Sequence, residues 1–258
     1  LVYFLSLYVN ISATLKMASR FCISLQVALC YGESWHEFCP EELGHEAISH
    51  EGEPAEMPSE DSGKLISLPL DQAIWERVFS VAPLVIVGSK EANGEYNLAP
   101  KHMAMPLGLS HYFCFVCGPR HATYHNVRRH GIFTVSYPRV GEVVYTALAA
   151  APRADDQSKP ALMNLPMFPA SRVDGVLVEG CYLYLECKLE RVLDDFDGYS
   201  LMIGDIVAAA AVEDALRKQE LDAADHIFQF PLLAYLHPGR IAEIRQTTAF
   251  PLPEGYAG

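Results

Sequence analysis

The chain has 258 residues, half of them hydrophobic and a fifth charged, which is enough to bury a sizeable core without disulfide staples. Its 19 Lys and Arg against 32 Asp and Glu give a formal net charge of −13, which argues against a general nucleic-acid binder that works by neutralising phosphates. Seven irregularly spaced cysteines in a chain of this length indicate reduced thiols and a cytoplasmic setting rather than a disulfide framework.

Leu1 is not an initiator residue, so the expectation is a fragment or a reading frame extended upstream. Leu1 to Ile11 is apolar, but Lys16 and Arg20 follow the apolar run instead of preceding it, which is the wrong order for a signal peptide. Asn10, Ser12, Thr14 and Lys16 also interrupt any membrane span. Glu33 to Glu56 is acidic and polar and has no apolar period to bury. Met57-Pro58-Ser59-Glu60-Asp61 then reads as an ordinary N-terminus. The expected organisation is a disordered or non-native extension over 1–56 and a functional domain over 57–258.

Within that domain the apolar spacing of Leu70, Ile74, Trp75, Val78 and Phe79 predicts a helix over 70–81, ended by Pro83. Leu84 to Gly88 predicts a strand. Asn93-Gly94 turns the chain back into a second strand over 96–107. A third strand covers 112–117, a helix 123–130 and a strand 132–137, with Gly131 between the last two. A second helix is expected over 140–151 and an irregular, proline-interrupted excursion over 154–173. Long strands over 176–193 and 199–212, a helix over 213–225 and short strands at 232–236 and 241–244 complete the reading. Hairpin-connected strands with few helices suggest an antiparallel barrel, mainly β with peripheral helices. No G-x-G-x-x-G follows a strand, so a doubly wound nucleotide fold is not supported.

Residues 93–131 hold the most suggestive chemistry. Asn97-Leu98-Ala99-Pro100 gives small residues and a proline beside a turn, where a planar ligand can approach the backbone, and Lys101 can meet an anion. Arg120 and Thr123 stand at a predicted helix N-terminus, which suits a phosphate. The ordinary alternative is Thr123 as a helix cap and Arg120 as a solvated charge. His102 reads first as a structural histidine. Cys114 and Cys117 with His121 and His125 imitate a metal cluster, but three-residue spacing in a strand sends the two thiols to opposite faces. The same argument weakens a redox Cys-x-x-Cys. Cys181 and Cys187 read as core thiols, Tyr182 and Tyr184 as packing, and the Asp194-Asp195-Phe196-Asp197-Gly198 run as a solvated turn rather than a calcium loop.

Pro83 to Val87, then Gly94, then Asn97-Leu98-Ala99-Pro100 together resemble the opening of flavin reductase-like proteins. Thr123-x-x-Asn126 followed by Gly131-x-Phe133-x-Val135 is similar to the same family. So are Ile203-Gly204-Asp205-Ile206-Val207 and Pro231-Leu232-Leu233, and the ordered series spans roughly residues 70–245. The resemblance implies an antiparallel split β-barrel of FMN-binding type, a homodimer with the flavin near the subunit interface, and NADH or NADPH as electron donor. It implies that Asn97, Leu98, Ala99 and Pro100 line the flavin, and that Arg120 and Thr123, with Lys101, hold its phosphate. The family's basic residue close before the threonine is displaced here, in Arg120-His121-Ala122-Thr123. Hydride transfer is the cofactor's chemistry, so no catalytic acid or base is implied. The expected function is an FMN-binding oxidoreductase acting on flavin or, through it, on a second small molecule. The alternative is a flavin-binding electron carrier without turnover of its own. No nucleic-acid, membrane or metal partner is expected.

Overall fold

The computed structural model describes residues 65–217 and 222–251, so the expectation for residues 1–56 lies outside the described residues. The strands in chain order are β1 (Ser80–Pro83), β2 (Val85–Lys90), β3 (Tyr96–Lys101), β4 (Ala104–Pro106), β5 (Tyr112–Cys117) and β6 (Ile132–Tyr137). They continue as β7 (Met167–Pro169), β8 (Val176–Val178), β9 (Leu183–Phe196), β10 (Tyr199–Ala211), β11 (Leu232–His237) and β12 (Arg240–Ile244). Helix α1 (Ala122–His130) lies between β5 and β6, α2 (Val143–Ala150) follows β6, and α3 (Ala223–Gln229) precedes β11.

Seven strands pair antiparallel in the order β3-β2-β6-β9-β10-β5-β4, with β1-β11-β12 and β7-β8 as smaller sheets. The two edges of the large sheet are β3 and β4, yet only His102 and Met103 separate them in the chain. Three Cα steps reach at most about 11 Å. The sheet therefore has to curl until its edges nearly meet. The result is an antiparallel half-barrel, mainly β, as the hairpin pattern suggested.

Alternation along β2 divides the apolar residues between two cores. Val85 and Val87 join Phe113, Phe115, Phe133, Val135 and Met202 inside the curl, where Tyr124 and Val127 of α1 also pack. Ile86 faces the other way, with Leu98, Ala149, Leu162 and Val178, under α2 and the 3-10 turn Pro160–Asn164. Both faces of β2 are covered, which is why it reads as a continuous apolar run. Phe115 and Phe133 meet edge to face at 5.1 Å inside the curl. A Cβ on Gly204 would stand 2.4 Å from the Phe133 ring, so only glycine lets the ring pass over β10.

Several sequence expectations need correction. Residues 70–81 form no α-helix. A short 3-10 turn at Ile74–Glu76 leads into β1, and Leu70 is left 85% exposed and Phe79 68%. No neighbouring face covers the would-be apolar stripe, whereas Ser80 to Pro83 gains ladder bonds to β11. The single strand expected over 96–107 breaks at His102-Met103, where the chain crosses from one sheet edge to the other. The strand expected over 176–193 divides into β8 and β9 around Gly180. The helix expected over 213–225 is a 3-10 turn at Glu213–Ala215 and, separately, α3, with 218–221 outside the described residues.

The excursion after α2 is held to the sheet by one carboxylate. Glu186 on β9 accepts from the Ser171 amide and hydroxyl, both at 2.8 Å, and from the amides of Arg172 and Val173. Burial alone would raise its pKa, but these donors outweigh it and hold the carboxyl below its ordinary 4.5. Glu186→Gln turns one accepting oxygen into a donor facing other donors. It should lower unfolding free energy by about 1–3 kcal/mol in denaturant titration. The native carboxylate's contribution is fully present above about pH 4.5 and is lost as the pH falls through the depressed folded value. The variant should lack that acid limb.

Candidate flavin site along the edge strand

Strand β3 presents an open edge. Pro100 lacks an N–H, and a proline belongs on an edge where the missing donor faces outward. The Leu98 carbonyl points the same way and accepts from Lys159 Nζ at 2.8 Å. Side chains alternate across the strand in register with β2: Asn97, Ala99 and Lys101 lie opposite Ser89, Val87 and Val85, and Leu98 and Pro100 opposite Gly88 and Ile86. Leu98 is 1% exposed in the outer core, so a ligand on this edge meets its backbone rather than its side chain. Ala99 and Pro100 are half-buried.

Asn97 is 4% exposed, and its Oδ1 is buried without a hydrogen-bond partner. Such an orphaned acceptor costs free energy unless a ligand supplies the donor. Asn97 lines a cleft of about 670 Å³ between the β2–β3 hairpin and the segment over 153–167. Arg153 pairs with Glu91 across this cleft, and Tyr96, Met163 and Met167 form part of its wall.

At the other end of β3, Lys101 faces the start of α1, where it and Arg120 act on His121. Helix α1 packs on β2 and β3. Its N-cap is His121, which makes no side-chain cap, and its first turn carries no acidic residue. Thr123 is not the cap but a buried residue of that first turn. Asn126 behind it donates to Ser89 Oγ at 3.2 Å and accepts from Arg129 at 3.3 Å, which fixes the helix on β2. Burial lowers the His121 pKa, and the charges of Lys101 and Arg120 lower it further. Lys101 bears on His102, Cys117 and Lys159 in the same way. Lys101 and Arg120 thus meet His121 at this end of β3, in a chain whose net charge is −13. Arg120 also donates from NH2 to the Tyr199 hydroxyl at 2.7 Å.

Sequence reasoning missed Lys159. It donates to the carbonyls of Leu98 on β3 and Ala149 at the end of α2, tying the excursion to the sheet edge. Burial, with Arg153 and Lys101 nearby, lowers its pKa to about 8. The only signal was a lone lysine before Pro160 in a segment without periodicity, and nothing local says where that lysine reaches. His102 stacks on Tyr235 at 4.5 Å and on His237 at 5.4 Å, packing the strand crossover against β11. Burial, His237 and Lys101 lower its pKa.

The other sequence candidates are absorbed by packing. Cys114, Cys117, Cys181 and Cys187 are all buried free thiols. Burial raises the pKa of each, that of Cys181 to about 12, which leaves them unreactive. Tyr182 packs edge to face on Tyr137 and Phe230, and Tyr184 on Phe168. Asp194, exposed at the end of β9 like the turn that follows it, accepts from Tyr124, Arg128 and Ser200. Among the described residues no helix is long and apolar enough to cross a membrane.

The antiparallel half-barrel is shared with a protein described as having a split barrel domain. A family model described as flavin reductase like domain matches residues 79–237, and the chain belongs to that family. Flavin is the cofactor class that goes with it. The fold is shared with nitrilotriacetate monooxygenase component B from Bacillus cereus, at a TM-score of 0.62 and 19% identity, over 72% of this chain and 99% of that one. Flavoredoxin from Methanosarcina acetivorans superposes with a TM-score of 0.59 at 18% identity, over 74% of this chain and 97% of its own. An uncharacterized protein of Methanothermobacter thermautotrophicus is 26% identical over 142 residues, covering 54% of this chain and 67% of that protein.

The residues present fit a flavin: an unpaired carboxamide at one end of an open strand edge, and cations with an uncapped helix start at the other. Asn97→Ala should therefore leave the unfolding free energy of the ligand-free protein unchanged to within about 1 kcal/mol, because no bond is lost. Ser89→Ala, which frees the Asn126 amide, should lower it by roughly 1 kcal/mol in the same denaturant titration. Equal losses in the two variants would mean that Asn97 is a structural residue.

Proposed function

We propose that the protein is an FMN-binding oxidoreductase of flavin reductase type, taking electrons from NADH or NADPH. The observation that carries this reading is the meeting of Lys101, Arg120 and His121 at the end of β3 and the start of α1, in an acidic chain, with Lys159 and the orphaned Asn97 in the cleft at the other end of the strand. A bound flavin supplies hydride acceptance from the nicotinamide and its return to an acceptor. The chain's own residues bind and orient. Lys101, Arg120 and the first-turn amides of α1, at Ala122 and Thr123, hold the phosphate. Asn97 meets a polar edge of the ring system, while the backbone of Leu98 and the small side chains of Ala99 and Pro100 let the ring lie close to the strand. No side chain need give or take a proton in hydride transfer.

We further propose that two copies pair. Phe79 and Val81, beside and on β1, and Met103 and Met105, beside and on the neighbouring β4, are exposed, an apolar surface of the kind that marks association.

Purified protein should retain the absorbance bands of oxidised flavin through gel filtration after FMN is added, eluting at dimer mass by light scattering. NADH or NADPH oxidation should rise with added FMN. Retained flavin without nucleotide oxidation would assign the carrier role instead. Neither retained flavin nor quenching of FMN fluorescence would end the flavin reading.

FMN affinity should also depend on pH. The phosphate is a dianion well below pH 8, so it does not titrate in this range. Lys159 carries its charge below about 8 and loses it above. Affinity should hold up to about pH 8 and fall as the pH rises further, and Lys159→Met should flatten that limb in a fluorescence titration.

A further inference from the structure

Arg120 is exposed and immediately precedes His121 at the start of α1. A long side chain in that position loses considerable rotamer freedom when it binds an anion. Here its guanidinium already has a seat on a different element. NH2 donates to the Tyr199 hydroxyl at 2.7 Å, and the guanidinium carbon lies 5.3 Å from the centre of the Tyr199 ring. The Nε–H is near His121 Nε2 at 3.5 Å, a marginal contact. Stacking and one hydrogen bond leave the remaining guanidinium donors uncommitted.

Tyr199 opens β10, directly after the β9–β10 turn, and two independent contacts hold that turn against the start of α1. A Cβ on Gly118 would stand 2.9 Å from the Gly198 carbonyl oxygen and 3.7 Å from the Tyr199 ring, so the turn and the α1 entry loop approach as closely as backbones can. Asp194, at the end of β9, accepts from Tyr124 at 3.0 Å, from Arg128 at 2.9 Å and from Ser200 at 2.7 Å, pinning the hairpin to α1 itself. The ring on which Arg120 rests thus cannot drift relative to the helix start.

We propose that Tyr199 is a positioning residue, which holds the Arg120 guanidinium ready for the phosphate of the bound ligand, so that the β9–β10 hairpin forms one arm of the anion site. This rests on the FMN reading and adds to it. Tyr199 does not touch the ligand; it acts through Arg120. Holding the arginine in advance removes part of the ordering cost that binding would otherwise incur.

The test compares FMN with riboflavin, which lacks the phosphate, by fluorescence titration of the full chain. Wild-type protein should prefer FMN. Tyr199→Phe should weaken FMN roughly three- to tenfold, the scale of one hydrogen bond, and leave riboflavin within about twofold. Arg120→Gln should show the same selectivity with a larger loss. In the Arg120→Gln background, Tyr199→Phe should have no further effect, because the residue it positions is gone. Three results would overturn the proposal: equal loss of both flavins in Tyr199→Phe, no loss of either, or an undiminished effect in the double variant. A wild-type protein that binds neither flavin, or both equally, would instead remove the phosphate seat itself, and that failure is read before any variant is made.

Discussion

The strand crossover at His102-Met103 is the constraint on which the rest of the structure depends. Two residues join the opposite edges of a seven-stranded sheet, so the sheet must close on itself almost completely. Closure buries the aromatic residues of β5 and β6 inside the curl and brings α1 in to cover it. It also leaves β3 with one unpaired side just where the chain turns inward. His102 packs that crossover onto β11 through Tyr235 and His237, while its buried Nε2 is left without a partner.

An unpaired strand edge is ordinarily a hazard for aggregation, and this one is managed by a proline, a short length and a covering segment. Pro100 removes a donor, and Lys159 takes the Leu98 carbonyl. What remains is an open edge with the unpaired Asn97 carboxamide near its start and Lys101 at its end. Burial first, and then neighbouring positive charge, lowers the pKa values of His121 and Lys159, so each is held by the surrounding fold at a cost. The same logic joins the site to its supports: Asn126 with Ser89 and Asp194 with Arg128 keep α1 in place behind the groove.

Much of this was legible in the residues. Alternation and turn chemistry gave β5 and β6 with their observed bounds, and α1 to within one residue, because Gly131 is a local signal, as Asn93-Gly94 is for the β2–β3 hairpin. The segment over 70–81 misled because helical spacing is only half of an amphipathic helix; the other half is a surface to receive it, and the strand β1 found one on β11 instead. Asn97, Ala99 and Lys101 came from a pattern at the sequence level and fall on one face of β3, opposite Ser89, Val87 and Val85. Leu98 belonged to the same pattern, but its side chain went to the outer core, as period-two alternation requires of every second residue.

The sequence by itself determined the composition of a large globular domain, the order of its main strands with the bounds of β5, β6, β10, β11 and β12 to within one residue, and the ordered motifs that resemble the flavin reductase-like family. These are local properties, set by which residues tolerate which backbone and by their spacing. Tertiary structure alone decided that Lys159 reaches β3 from sixty-one positions away, that Tyr199 seats Arg120 across seventy-nine, and that Asn97 is left without a partner. Side-chain reach, burial and the sharing of a field are relations between distant segments, and no window of sequence contains both partners.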